Sequence, residues 1–386
     1  MKNWKVAQFK DVAQIYTGKT PSTANPEYYG NSIPFVSPAD LNNSILNTSK
    51  NYLSVLGADQ VCRVPKDTVL VSCIGYLGKV AIVNQEVCFN QQLNALVFDK
   101  NKIFPKYGFY YAQTIGAQLE KLSSSTTVPI VNKSRFSTIE IKYPDIDEQR
   151  RIASILDKAD DIRQKRQQAI AKLDELLQAT FIDMFGDPIK NEKGWTIGTI
   201  GDMLESVKYG SSDKAELEGD VPILRMNNIT YSGEMNLKDL KYIKQEQADE
   251  KYLVRQGDIL FNRTNSKELV GKTAVYYGPE PMAYAGYLVR GRTLPEHVPE
   301  YISGFLNSSW GKSTLQSMCK SIIGMANINA KEFQSIRLPI PPSELQLQFK
   351  KKVYAIRELK LKLEIQLHQY DELFNALQQK AFNGTL

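Results

Sequence analysis

DELLQATFIDMF, residues 174–185, and DELFNALQQKAF, residues 371–382, open alike and end alike in phenylalanine. The offset from Asp174 to Asp371 holds without a gap over the whole stretch from Asn132–Phe185 to Asn329–Phe382. It sets Asn132 on Asn329, Phe136 on Phe333, Ile139 on Ile336, Pro144 on Pro341, Gln149 on Gln346 and Phe185 on Phe382. Chance does not keep one register that long, so the chain is an internal duplication. Outward from these tails the repeat loosens. Trp4 and Trp195 open the two halves, followed at equal distance by Asp11 and Asp202. IPFVSP (33–38) resembles VPILRM (221–226), VPKDTVLVS (64–72) resembles VRQGDILFN (254–262), and LGKVAIV (77–83) resembles VGKTAVY (270–276).

Both tails read as helices. In the first, Ile152, Ile155, Ala159, Ile162, Arg166, Ala169, Leu173, Leu176 and Thr180 alternate in spacings of three and four. In the second, Phe349, Val353, Ile356, Leu359, Leu363, Leu367, Tyr370, Phe374 and Leu377 do much the same. This pattern predicts heptad seams, with a polar break at Arg166. Pro144 and Pro341-Pro342 mark the starts, Gly186 and Gly384 the stops. A helix of about 38 residues is roughly 57 Å long. So narrow an apolar stripe needs a partner, and the other tail, antiparallel, is the expected one. A structural coiled coil of another kind fits the same seam.

The segments before the tails are strand-rich. Short runs such as TVLVS, KVAIV, DILF and TAVYY alternate with Gly, Asn, Ser and Pro clusters. KYGFYYAQTIGAQLEKL and PEYISGFLNSSWGKSTLQSM predict a helix near the end of each part. The expected fold class is α+β, with two strand-rich domains, 1–144 and 187–341, separated by two long antiparallel coiled-coil helices, 145–186 and 342–386.

Composition excludes more than it assigns. The 386 residues carry a formal charge of +6, which permits an anionic partner without requiring one. Cys62, Cys73, Cys88 and Cys319 are scattered, against a zinc site or a disulfide framework and in keeping with a reducing cytosol. No uncharged run reaches the roughly 18 residues that span a bilayer, and MKNWKVAQFKD has no apolar core of a signal peptide. A cytoplasmic protein without membrane contact is expected. His297 and His368 sit in no catalytic spacing. GYLGK (75–79) fails as a phosphate loop, no G-x-G-x-x-G opens a helix, and the Pro-Pro of LPIPPSE lacks the acid and aromatic of an adenine methyltransferase motif. No catalytic residue, cofactor or metal site is expected.

Polar chemistry concentrates elsewhere. FNRTNSKELVGK (261–272) lies between GDIL and TAVYY, and SCIGYLGK (72–79) between TVLV and VAIV. Arginine suits guanine, and asparagine or glutamine suits adenine, in reading base edges. A polar turn bonding its own backbone fits equally. Lys19 and Thr20 after Gly18 match Tyr209, Ser211 and Ser212 around Gly210. Gln91 and Gln92 follow VCFN, and Tyr287 and Arg290 lie in YAGYLVRGR, where a buried polar network competes. SSSTTVPIVNKSRF (123–136) and KSIIGMANINAKEF (320–333) suit loops along a phosphate backbone, while the match of Asn132 with Asn329 favours structural caps. Arg150, Arg151, Arg163, Lys165 and Arg166, interleaved with Asp157, Asp160 and Asp161, read as a solvated or protein-docking face.

PDIDEQRRI (144–152), DELLQATFIDMFGDP (174–188), the Trp of NEKGW (191–195) and GDILFNRTNSKELVGK (257–272) together resemble the specificity subunit of a type I restriction–modification system. The last resembles one recurrent type of target recognition domain. The likeness covers essentially the whole chain and rests on the combined order of the motifs. One departure is PPSELQLQF, where Leu345 stands in the place of Glu148; Glu344 or Gln346 would then supply the missing contact. The resemblance implies that each globular part reads one half of a split target in double-stranded DNA. The helices would set the spacing and dock two methyltransferase subunits, which bind S-adenosylmethionine and methylate adenine. A nuclease–translocase subunit would complete a restriction complex. The implied DNA contacts are Lys19, Thr20, Ser72, Tyr76, Lys79 and Gln91 in the first half. In the second they are Tyr209, Ser211, Arg225, Arg263, Thr264, Asn265, Ser266, Lys272, Tyr287 and Arg290, with Lys272 on a phosphate. Two other classes compete: a self-contained DNA-modifying enzyme, and a coiled-coil scaffold with two protein-binding heads.

Overall fold

A computed structural model describes residues 4–124, 128–266, 268–322 and 325–386. Residues 125–127, 267, 323 and 324, which fall in three of the polar stretches above, lie outside the described residues. The chain forms two compact units, residues 1–165 with 366–386 and residues 166–365. Each unit takes in part of both tails.

In the first unit a five-stranded sheet runs Ala13–Thr17, Leu93–Phe98, Val69–Ser72, Val80–Val83, Ser44–Leu46. A four-stranded sheet runs Asn51–Leu53, Tyr29–Val36, Val87–Phe89, Arg63–Val64, with its middle pair parallel. Strand alternation divides the core. Val69 and Val71 join the cluster that includes Tyr107, Ile152 and Phe374, while Leu70 joins the one with Val36 and Phe89. With both faces covered, the strands read as continuous apolar runs.

The second unit repeats this plan. Its main sheet runs Leu204–Tyr209, Leu288–Thr293, Ile259–Asn262, Thr273–Val275, and its other sheet runs Lys241–Ile243, Val221–Leu224, Met282–Tyr284, Leu253–Val254, again with a parallel middle pair. Ile259 and Phe261 face one cluster and Leu260 another. The loose sequence repeat is thus a repeat of strand order over four strands of each main sheet and over the whole of each smaller sheet; the first unit adds Ser44–Leu46 at the edge of its main sheet.

A short helix and a long one also recur in each half of the repeat: α1 (Pro105–Ala112) with α2 (Ile146–Phe185), and α3 (Pro299–Asn307) with α4 (Ser343–Asn383). Proline opens α1 and α3, where the missing N–H costs nothing. Gly186 and Gly384, with φ of 71° and 72°, end the long helices in the left-handed conformation that spares glycine a steric penalty.

Buried glutamines fix where the long helices begin. Gln149 Oε1 accepts the Phe104 N–H at 2.8 Å, and its Nε2 donates to the carbonyls of Lys102 and Pro144, both at 2.9 Å. Gln346 likewise accepts from the Val298 N–H at 3.1 Å and donates to the Pro341 carbonyl at 2.8 Å. Phe104 and Val298 are the N-caps of α1 and α3, so each glutamine ties a short helix to a long one. Glu148 has a different task, a bidentate bond with Arg151 at 2.7 Å. Leu345 packs on the core instead, and Gln346 repeats Gln149 rather than replacing Glu148.

The expected seam needs correction. Ile162, Leu176 and Leu359 are 44%, 49% and 47% exposed. Leu156 is buried, Leu177 packs on the second unit's core, and Lys360 is buried. A strict 3.5-residue stripe drifts around a 3.6-residue helix, and these helices also pack on their domains. In the first unit Ile152 and Leu156 share a core with Phe374 and Ala381; Phe382 lies edge-on to Tyr107 at 5.4 Å. In the second, Phe181 shares a core with Phe349 and Val353; Phe185 lies edge-on to Tyr301 at 4.7 Å. Four of the basic residues of α2 are engaged in ion pairs: Arg150 with Asp147, Arg151 with Glu148, Arg163 with Asp160, and Lys165 with Asp161.

Candidate functional site

Strand register gathers the polar loops at one end of each main sheet. Asn94 pairs with Thr17, Leu93 with Ser72, and Val71 with Val80. The segments 18–20, 73–79 and 90–92 therefore leave the same sheet end. In the second unit Tyr209 pairs with Val289, Asn262 with Leu288, and Phe261 with Thr273, which brings together 210–211, 263–266, 268–272 and 285–287.

The two loop clusters share a backbone frame. Ser72 N–H donates to Lys79 O at 2.9 Å, and Asn262 N–H to Lys272 O at 2.9 Å. Gly78 N–H donates to Ser72 O at 3.0 Å, and Gly271 N–H to Asn262 O at 2.8 Å. Cys73 N–H donates to Gln92 O at 2.8 Å, and Arg263 N–H to Tyr287 O at 3.0 Å. Val131 N–H donates to Cys73 O, and Ile328 N–H to Arg263 O, both at 2.9 Å. Gly18 and Gly210 occupy one further matched position, each donating to the leucine carbonyl opposite (Leu93, Leu288) at 3.2 Å. A Cβ there would fall 2.1 Å from Asn90 O, or 2.3 Å from Ala285 O.

On this frame some expected contacts are spent on the fold. Ser72 is fully buried; its hydroxyl donates to Tyr76 O at 2.5 Å and accepts from Lys79 N–H at 2.9 Å. Ser211 is buried and bonds Asp213. Arg290 is buried, donates to Leu253 O at 2.6 Å and lies over the Tyr284 ring. Thr264 is buried in a strand opposite Asn327, whose Nδ2 donates to the Thr264 hydroxyl at 3.2 Å. Lys272, expected on a phosphate, points inward; its ammonium donates to the carbonyls of Met226 at 2.7 Å and Ile229 at 2.5 Å. Burial pushes that ammonium below the ordinary lysine value. Arg225 donates at 3.1 Å to both the carbonyl and the carboxylate of Asp239. Each makes at least one internal bond, since a buried polar group without a partner is costly. Asn132 and Asn329 cap the short helices Lys133–Ser137 and Ala330–Gln334, as their match suggested.

The remaining residues face outward or lie at the rim. In the first unit Lys19, Tyr76, Lys79 and Gln91 are exposed, and the Thr20 hydroxyl donates to Gln91 Oε1 at 2.6 Å. The Lys79 ammonium sits 5.3 Å from the Tyr76 ring centre. In the second unit Tyr287 is 53% and Tyr209 42% exposed, and Asn265 and Ser266 are half-buried. The Arg263 guanidinium lies over the Tyr209 ring at 4.9 Å. Its Nε is buried without a hydrogen-bond partner among the described residues. Sequence reading missed Asn262, fully buried with neither end of its amide bonded among the described residues. Its alignment with Ser72 was the available signal.

Among the described residues no group of three or more His, Cys, Asp or Glu is placed to hold a metal ion, and no helix is long and apolar enough to cross a membrane.

A family model described as type I restriction modification DNA specificity domain matches residues 1–172 and 192–369. The MjaIX specificity subunit of Methanocaldococcus jannaschii, a type I restriction enzyme subunit, is 28% identical over 276 residues, covering 62% of this chain and 63% of that protein. The HindI specificity subunit of Haemophilus influenzae is 32% identical over 151 residues, covering 37% of this chain and 32% of that protein. The chain thus spans less than two thirds of the length of these relatives. The solved S subunit of a type I restriction–modification system from M. genitalium superposes with a TM-score of 0.56 at 17% identity, covering 98% of this chain and 96% of that one. A chain solved in a study of assembly and conformational transition of the type I system gives 0.58 at 16%, covering 100% and 99%. These two likenesses speak to fold. The family match takes in most of both halves, and on it this chain belongs to the type I restriction–modification DNA specificity domain family.

Proposed function

We propose that this chain is the non-catalytic, sequence-reading subunit of a type I restriction–modification complex. Each unit would bind one half of a split target in double-stranded DNA. The observation that carries this reading is the duplicated sheet end. One backbone frame offers Lys19, Thr20, Tyr76, Lys79 and Gln91 in the first unit, and Tyr209, Arg263, Asn265, Ser266 and Tyr287 in the second. Cations of this kind serve phosphate and guanine contacts, and amides serve base contacts. Reading several base pairs is useful because each wrong pair costs about 1–3 kcal/mol.

The long helices would pair antiparallel as a coiled coil that fixes the spacing. Two matched ion pairs support this: Arg163 with Asp371 at 2.7 Å and Lys360 with Asp174 at 2.6 Å. A step forward from Arg163 to Asp174 on α2 corresponds to an equal step back from Asp371 to Lys360 on α4. At 40 residues, α2 is about 60 Å long, an upper bound on the separation it can set. One turn of DNA is roughly 34–36 Å. Two methyltransferase subunits would dock along the helices and perform the chemistry on an extruded adenine, which needs a pocket of its own. Nuclease–translocase subunits would join for restriction.

The test is a genome-wide map of methylated adenine in cells with and without this gene, the methyltransferase partner being present in both. One split motif of fixed spacer should vanish with the gene. Unchanged methylation would refute the reading. The purified chain alone, given labelled S-adenosylmethionine and DNA, should transfer no methyl group; turnover would favour a self-contained enzyme.

A further inference from the structure

We infer that Arg263 reads a guanine in the half-site of the second unit, through the major groove, and that the first unit has no equivalent reader. The inference rests on the DNA-reading function proposed above and adds the identity of a base.

Arg263 is set apart from the other arginines around the second sheet end. Arg225 is held by Asp239, Arg290 by the Leu253 carbonyl, and Arg292 by the Asp258 carboxylate at 2.8 Å. Arg263 has no ion pair and no side-chain hydrogen bond among the described residues, yet it is not loose. Its own N–H donates to Tyr287 O and its carbonyl accepts from Ile328 N–H. Its guanidinium is laid on the Tyr209 ring, and the Tyr209 hydroxyl is itself pinned by the Ala330 N–H at 2.9 Å. The cation–π contact restrains the guanidinium while leaving its donors unspent among the described residues. A restrained guanidinium with unspent donors is complementary to a planar pair of acceptors. In the major groove only guanine offers two acceptors on one base edge, O6 and N7, and a bidentate arginine is their common partner. A phosphate would also accept from it. A phosphate contact is indifferent to sequence, however, and the test separates the two.

The first unit differs at this position. The four matched backbone bonds place Cys73 where Arg263 stands, and Cys73 is buried. The tyrosine under the guanidinium has Thr17 as its counterpart, since Thr17 and Tyr209 each precede the matched glycine. Both members of the cation–π pair are therefore absent from the first unit.

The experiment is the same methylation map, made for Arg263→Gln and Arg263→Lys beside the native gene and its deletion. The native-versus-deletion pair tests the proposed function; the variants test Arg263. The expected result is a motif that keeps its spacer and its first half but becomes degenerate at one G·C pair of the second half. Preference at that pair should fall by roughly five- to 150-fold. An unchanged motif overturns the inference and leaves the proposed function standing. So does uniform weakening at every site without relaxation, the mark of a phosphate contact. If a variant abolishes methylation, the purified complex is titrated with duplexes carrying each base pair at each guanine of the second half-site. Lost discrimination at one position supports the inference, and an equal loss at all positions overturns it.

Discussion

Replacing Gln149 by methionine tests whether the buried glutamine clasp holds the first unit together. Methionine keeps the length and nearly the volume, so no cavity term enters. What is lost is the satisfaction of three backbone groups: the Phe104 N–H and the carbonyls of Lys102 and Pro144. Gln149 is fully buried, so water does not replace it readily. A buried backbone group left unpaired costs about 1–3 kcal/mol. Three such groups, two of them carbonyls that tolerate under-satisfaction better, give roughly 3–6 kcal/mol, a large share of a typical domain's 5–15 kcal/mol. Gln346→Met releases two backbone groups, Val298 N–H and Pro341 O, and should cost about 2–4 kcal/mol by the same reasoning. Urea unfolding followed by fluorescence reads the units separately, because Trp4 lies in the first, and Trp195 and Trp310 in the second. Gln149→Met should lower the Trp4 transition more than Gln346→Met lowers the other. A cost below about 1 kcal/mol for Gln149→Met, or the reverse order, would refute the reasoning.

Three further outcomes are expected. Gly18→Ala and Gly210→Ala drive a methyl group against carbonyl oxygens at 2.1 Å and 2.3 Å; each should cost about 1–3 kcal/mol in thermal unfolding and weaken methylation of targets that depend on the affected half-site. Lys360→Met strands Asp174 and Glu234, bonded to the lysine at 2.6 Å and 2.8 Å. Because both carboxylates keep some water, the loss in chemical unfolding should be about 2–4 kcal/mol, somewhat under that of a fully buried pair. Burial raises the Glu300 carboxyl above its ordinary 4.5, and Oε2 has no hydrogen-bond partner. The fold therefore favours the protonated form. Its contribution is complete below pH 4.5 and is lost as pH rises through the folded-state value. Glu300→Gln should then gain stability over the native chain from about pH 4.5 upward and show no gain below it, measured as melting temperature against pH.

The tails were legible because their signals are local. Proline and glycine punctuate them, Gln149 and Gln346 match across the repeat, and the ends of α2 and α4 fall close to where those residues put them. Which face points inward was less legible. Ile162 and Leu176 satisfy a heptad stripe, but each unit's domain and the charged residues Arg163 and Lys360 take part of the inner face. In the globular parts, short apolar runs located the strands. They could not reveal the parallel pairs, which join segments distant in the chain.

The site divides along a different line. Lys79 and Lys272 occupy one position of the shared frame, yet one is exposed near Tyr76 and the other is half-buried with its ammonium on the carbonyls of Met226 and Ile229. Nothing within GYLGK or ELVGK distinguishes them, since the deciding carbonyls lie some forty residues away in sequence. Ser72 and Asn262, Cys73 and Arg263, Gln92 and Tyr287 show the same independence of frame and side chain. Main-chain hydrogen bonds hold the loop whatever side chain stands on it, because each residue brings the same donor and acceptor. A frame built in this way lets outward side chains change without disturbing the core behind them. The two halves can then keep one architecture while reading different bases, and for that reason the repeat shows in the sequence more clearly than the target does.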